Sequence, residues 1–202
     1  MKCPVLENRC YHWDLYNFHE ATKLSGVIKD PHQKQLLCNI EKAFKLFVQP
    51  KLDTLPKQCI HGDLNDGNLI VQHIPGSTEF EICGLIDFGD TNHSCRVFDI
   101  SIAAACMMTT FLDDPVAAGA HTFAGYLQKN PLTQLESDLV FYFIQARLYQ
   151  NICYATNTSE LHPENSEYLL YSVKRAWKVL DKLTTVSKKE FDEKWAKLCI
   201  PN

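Results

Sequence analysis

Residues 60–71 read IHGDLNDGNLIV and residues 81–90 read EICGLIDFGD, with the segment HIPGSTE at 73–79 between them. Leu69, Ile70 and Val71 form one β-prone run and Phe80 to Ile86 a second, while Pro75 and Gly76 allow the chain to reverse between them. The spacing predicts an antiparallel hairpin with a longer loop. Such a hairpin brings the end of the loop from Asp63 to Asn68 beside Asp87, which closes the second apolar run just before Phe88 and Gly89. Three oxygen-bearing side chains thus converge from two loops.

Outward from the hairpin the pattern is helical. Upstream, YHWDLYNFHEATKL at 11–24 gathers Trp13, Tyr16 and Phe18 in a short helix or helical turn with an imperfect period. Asp30-Pro31 is a start signal, and Leu37, Ile40, Phe44 and Phe47 recur at helical steps through a segment expected to stop near Pro50. Lys34, Lys42, Lys45 and Gln49 make its solvated face. Downstream of His93 only helices are expected. Asp99, read as an N-cap or a loop-bracing residue, opens a segment apolar on nearly every side. Asp114-Pro115 starts another, and a third after Pro131 and Thr133 carries Leu135, Leu139, Phe143, Ile144, Leu148 and Ile152. A fourth begins at Leu161-His162-Pro163-Glu164 and passes through Tyr168, Val173, Trp177 and Leu180. A last short helix from Ser187 holds Phe191, Trp195 and Leu198. The fold class is α+β, mostly helical, with residues 1–202 forming one unit. Its parts are a helical 1–57, a loop-and-hairpin 58–95 and a helical 96–202.

With 202 residues and 46% hydrophobic content the chain can build a packed core. The net charge of -4 offers none of the basic footprint that nucleic-acid binding needs. Neither a membrane-length apolar run nor an apolar signal core is visible, so a soluble cytoplasmic protein is expected. Nine widely spaced cysteines, Cys3, Cys10, Cys38, Cys59, Cys83, Cys95, Cys106, Cys153 and Cys199, contain no C-x-x-C pair and read as reduced thiols. Cys59 and His61 lack the further ligand pair a zinc site requires.

The central residues suit phosphoryl transfer, in which positioned oxygen ligands and metal ions stabilise charge on phosphate oxygens. Asp63 is the candidate base for a substrate hydroxyl. Asn68 and Asp87 offer the hard oxygens that Mg2+ prefers. Gly62 and Gly67 allow a tightly curved loop, and His61 is read as a structural support that hydrogen-bonds nearby backbone. Asp90, next to Asp87, is either a contact for a cationic substrate or a solvated turn carboxylate. Arg96 is either a phosphate or carboxylate contact or a surface ion pair. An isolated H-G-D is a weak signal, since Asp is common in Gly-containing turns. The Asn five residues later and the distant D-F-G-D make the combination specific.

HGDLNDGN with GLIDFGD resembles the aminoglycoside phosphotransferase family of small-molecule kinases, with H-G-D where protein kinases have H-R-D. The apolar AAACMM helix, NPLTQLE, and LHPENSEYLL followed by Trp177 resemble one group within it, and the likeness covers nearly the whole chain. The resemblance implies the C-terminal lobe of a protein-kinase-like fold. It also implies transfer of a nucleotide γ-phosphate, with GTP favoured over ATP, to a hydroxyl of a small hydroxy amino acid. By position Asp63 matches the catalytic base, and Asn68 and Asp87 match the metal ligands. Many relatives have His where this chain has Asn65, which leaves an auxiliary phosphate contact there open. The Gly-rich loop and strand Lys that clamp nucleotide phosphates have no counterpart in the sequence. Lys2, Lys23 and Lys29 lack a β context. A truncated form missing its N-terminal lobe is therefore expected. A kinase for choline, homoserine or an aminoglycoside, and a catalytically idle binding or regulatory fragment, are the competing readings; oligomeric state is left open.

Overall fold

The computed structural model describes residues 4–7 and 9–199, so Lys2 and Cys3 lie outside the described residues. After a short α1 (Pro4–Glu7), the aromatic segment becomes a 3-10 turn at Leu15–Asn17 and α2 (Phe18–Thr22). Asp30 caps α3 (Pro31–Ala43) by accepting from the Gln33 N–H at 2.8 Å, with Pro31 in the first turn where its missing donor is harmless. The expected stop at Pro50 is corrected. The helix widens into a π-turn at Phe44–Val48 and continues as a 3-10 stretch, Gln49–Thr54, with Pro50 in its opening turn. The wider turn moves the buried position from 47 to 48. Val48 is fully buried, while Phe47 is exposed and stacks on Tyr142 with ring centroids 5.2 Å apart.

The hairpin forms as expected from β2 (Leu69–His73) and β3 (Phe80–Leu85), antiparallel with Leu69 opposite Leu85. A second sheet, absent from the sequence reading, pairs β1 (Lys57–Ile60) with β4 (Asn92–Cys95), Ile60 opposite Asn92. Its strands KQCI and NHSC are short and mostly polar, and neither shows an alternation that would announce a strand. Together the sheets explain how the site is held. The sheet of β1 and β4 fastens the start of the 61–68 loop to the end of the 86–91 loop; β2 and β3 fasten the end of the first to the start of the second. The Ile86 N–H reaches the Asn68 carbonyl at 3.0 Å and closes that second clamp.

The helical lobe is α4 (Val97–Thr110), α5 (Pro115–Leu127), α6 (Gln134–Leu161), α7 (Ser166–Thr184) and α8 (Lys188–Leu198). Asp114 caps α5, and capping boxes pair Thr133 with Glu136 and Ser187 with Glu190 at the starts of α6 and α8. Helix α6 is the spine. Leu139, Phe143, Ile144, Leu148 and Ile152 are buried, and the helix packs against α2, α3, α4 and α7. Arg96 donates from Nε and Nη2 to the two oxygens of the fully buried Glu136, both at 2.7 Å, locking the start of α4 to the start of α6. The expected surface position of that ion pair is corrected on the glutamate side. Tyr168, near the start of α7, is 84% exposed, while Val173 and Leu180 are buried.

Candidate active site

The 61–68 loop is built around Asp99, in the first turn of α4. Its Oδ2 accepts the His61 N–H at 3.0 Å and its Oδ1 the Gly62 N–H at 2.9 Å. Asp99 is therefore a loop brace; the residue flanking α4 is Arg96, which makes no side-chain cap. Burial pushes the Asp99 carboxyl up, and the two loop amides partly offset that. His61, buried, accepts from the Asp63 N–H on Nδ1 at 3.3 Å, leaving Nε2 to donate to the Ile86 carbonyl at 2.9 Å. One imidazole thus joins the two loops. Gly62 is at φ +83, and a Cβ there would lie 2.6 Å from the Asp90 carbonyl oxygen.

Asp63 is gripped from three sides. Arg147 Nη2, on α6, donates to Oδ1 at 2.7 Å; Asn65 Nδ2 and Asn68 Nδ2 donate to Oδ2 at 2.9 and 3.2 Å. Asn68 Nδ2 also reaches the Asp63 carbonyl at 2.8 Å. A carboxylate has about four acceptor positions, so the free one is on Oδ1, on the arginine side. With its nitrogen spent on Asp63, Asn68 keeps its Oδ1 clear of hydrogen bonds to the described residues. Asn65 Oδ1 accepts the Gly67 N–H at 2.8 Å, which holds the turn leading into Asn68.

Asp87 adopts φ 60, the only left-handed non-glycine among the described residues, and its Oδ1 takes the Gly89 N–H at 3.4 Å. An aspartate tolerates this conformation better than most side chains, at a cost of about 1 kcal/mol. The carboxylate is exposed, at the edge where the hairpin delivers it beside Asn68. Asp90 turns the other way, accepting from the Tyr11 hydroxyl. Burial, then the hydrogen bond to Asp90, raises the pKa of that phenol. Arg9 Nη1 donates to the Thr91 carbonyl at 2.7 Å, so residues 9–14 strap the second loop. Trp13 in this strap lies under the Arg147 guanidinium at 4.8 Å, and Asp14 accepts from Ser94 of β4 at 2.9 Å.

A cleft of about 450 Å³ opens beside Asp63, between the loop and helices α4, α6 and α7. Asp63, Asn65, Asp66, Gly67 and Arg147 line it; Asn68, Asp87 and Asp90 do not. Cys106 in its wall is pushed up to about 11 by burial and so carries its proton at neutral pH. The sequence reading missed Arg147, Tyr11 and the bracing role of Asn65. A lone charge in the mostly apolar and aromatic run VFYFIQARLY was the available signal for Arg147.

Two clamped loops presenting Asp63, Asn68 and Asp87 on a helical lobe define a kinase-like phosphotransferase fold. The chain belongs to the phosphotransferase enzyme family, whose model matches residues 11–132. It is similar to the hydroxylysine kinase of Xenopus laevis, 31% identical over 187 residues, which is 91% of this chain and 50% of that protein. Hydroxylysine kinases of Mus musculus and Bos taurus are 30% and 31% identical over 198 residues, 96% of this chain and 52% of each relative. The chain spans about half the length of the curated relatives it matches.

Proposed function

We propose that the chain supplies the base and the metal ligands of a small-molecule kinase that transfers the γ-phosphate of GTP to the 5-hydroxyl of hydroxy-L-lysine. The observation that carries this is the Asp63 carboxylate, held on three sides with one acceptor position open toward a cleft. A hydroxyl donating to that position is oriented for in-line attack and gives its proton to Asp63 as its bond to the γ-phosphorus forms and the bond from that phosphorus to the β–γ bridging oxygen breaks, releasing GDP. The free Oδ1 of Asn68 and the Asp87 carboxylate are hard oxygen donors that fit Mg2+. Magnesium held there would neutralise charge on the phosphates. His61, Gly62 and Gly67 keep the two loops in register. Asp90, bonded to the Tyr11 hydroxyl and outside the cleft lining, braces the second loop. The choice of hydroxylysine rests on the relatives' printed names and on the later segments LHPENSEYLL and NPLTQLE, and GTP is the donor that the sequence resemblance implies.

Among the described residues no helix is long and apolar enough to cross a membrane, and the eight described cysteines are free thiols. Free thiols suit the reducing cytoplasm, where we place this activity. Incubation of the full-length protein with hydroxylysine or lysine, each with GTP or ATP and magnesium, tests the proposal. Phosphorylated product is expected from hydroxylysine with GTP and none from lysine. Equal product with a choline or homoserine acceptor, or none from hydroxylysine, overturns it.

A further inference from the structure

Arg147 is a buried cation with incomplete bonding. Its residue is 8% exposed, Nη2 is committed to Asp63, and Trp13 covers one face of the guanidinium. Nη1 is shielded from solvent and has no hydrogen-bond partner among the described residues. A charged donor left in that state is costly, and proteins of this size retain few of them. The same side chain lines the 450 Å³ cleft, whose other walls carry Thr109, Asn151 and Ser172.

We propose that the cleft is an amino-acid subsite in which Arg147 receives the carboxylate of the acceptor substrate. This rests on the proposed function only in taking an amino acid as the acceptor. A guanidinium is planar and presents paired donors that match a carboxylate. One of its nitrogens holds the base and another is free, so a single side chain fixes the distance between the substrate's acid end and the oxygen that takes its proton. In hydroxylysine three carbons, α, β and γ, lie between the carboxyl carbon and the carbon carrying the hydroxyl. The α-ammonium then meets Asn151 Oδ1, which already accepts the Ser172 hydroxyl at 3.2 Å and has a second lone pair. Asp66 adds a carboxylate in the same wall for the second amine. Arg147 is thus a specificity-determining residue as well as a positioning one.

Calorimetric titration of the full chain with hydroxy-L-lysine and with its carboxamide, whose acid end is an uncharged amide of nearly the same shape, tests this. The acid is expected to bind roughly 10- to 100-fold more tightly, the effect of a charge-assisted pair. In R147Q the preference falls to within about twofold, as that affinity scale allows. If R147Q does not fold, the wild-type ratio decides alone, with R147K expected between wild type and no preference. Equal affinity for acid and amide, no binding of either, or an unchanged ratio in R147Q overturns the inference. So does an R147Q variant that loses only GTP affinity, which would assign the guanidinium to phosphate. A chain that prefers the acid yet transfers no phosphate keeps the subsite and sinks the kinase reading; phosphorylation of both at equal affinity does the reverse.

Discussion

Gly62 shows how tightly single residues constrain this site. At φ +83, with the Asp90 carbonyl 2.6 Å from where a Cβ would lie, alanine meets both backbone strain and a collision with backbone that cannot swing aside. Gly62→Ala is expected to cost about 1–3 kcal/mol in thermal or urea unfolding and to part the two loops; an unchanged midpoint would show that the loops are not in such contact. Asp63→Asn keeps an oxygen for Arg147 but removes the proton acceptor. Turnover should fall roughly 10²- to 10⁴-fold while circular dichroism shows the fold retained, and near-normal turnover would remove Asp63 as the base. At this scale the sequence was legible where spacing is local: Asp63, Asn68 and Asp87 stand in fixed steps around one hairpin. Arg147 contacts Asp63 from 84 residues away, and no local pattern encodes a partner at that separation.

The elements divide in the same way. The hairpin and the caps of α3, α5, α6 and α8 are each written in a few adjacent residues, and each formed where those residues place it. Strands β1 and β4 owe their existence to each other across more than thirty intervening positions, and the π-turn at Phe44–Val48 depends on what covers Val48, so neither has a local signature. The joint between α4 and α6 adds a pH dependence. Burial acts to raise the Glu136 carboxyl, but Arg96 and Thr133 more than offset it, and the folded value lies below the ordinary 4.5. A depressed carboxylate stabilises the fold above its unfolded pKa and loses that contribution as pH falls through the folded one. Wild-type stability should therefore decline as pH drops below about 4.5. Glu136→Gln leaves Arg96 without its charge partner, costing roughly 3 kcal/mol near pH 7. The gap to wild type should narrow in acid; a gap constant from pH 7 to pH 3 would mean that the pair is not coupled to folding.

At the scale of the whole molecule, the site depends on parts that do not touch substrate. Phe143 on α6 is fully buried and meets Phe98 of α4 at 4.9 Å and Phe44 of the π-turn at 6.5 Å, edge to face in both cases. It therefore ties the helices before the hairpin to those after it, and one turn further along the same helix Arg147 reaches Asp63. If residues 1–57 and 96–202 fold as one unit with the loops between them, a cavity at Phe143 must weaken both flanks together. Phe143→Ala is expected to cost about 3–5 kcal/mol and to lower the melting temperature by roughly 10 °C for a chain of this length. Far-ultraviolet ellipticity and tryptophan emission, which samples Trp13 in the strap and Trp177 and Trp195 in the C-terminal helices, should fall in one coincident transition. Two separated transitions, with only one displaced by the substitution, would show that the flanks fold independently. The clamp on Asp63 would then belong to the C-terminal helices alone.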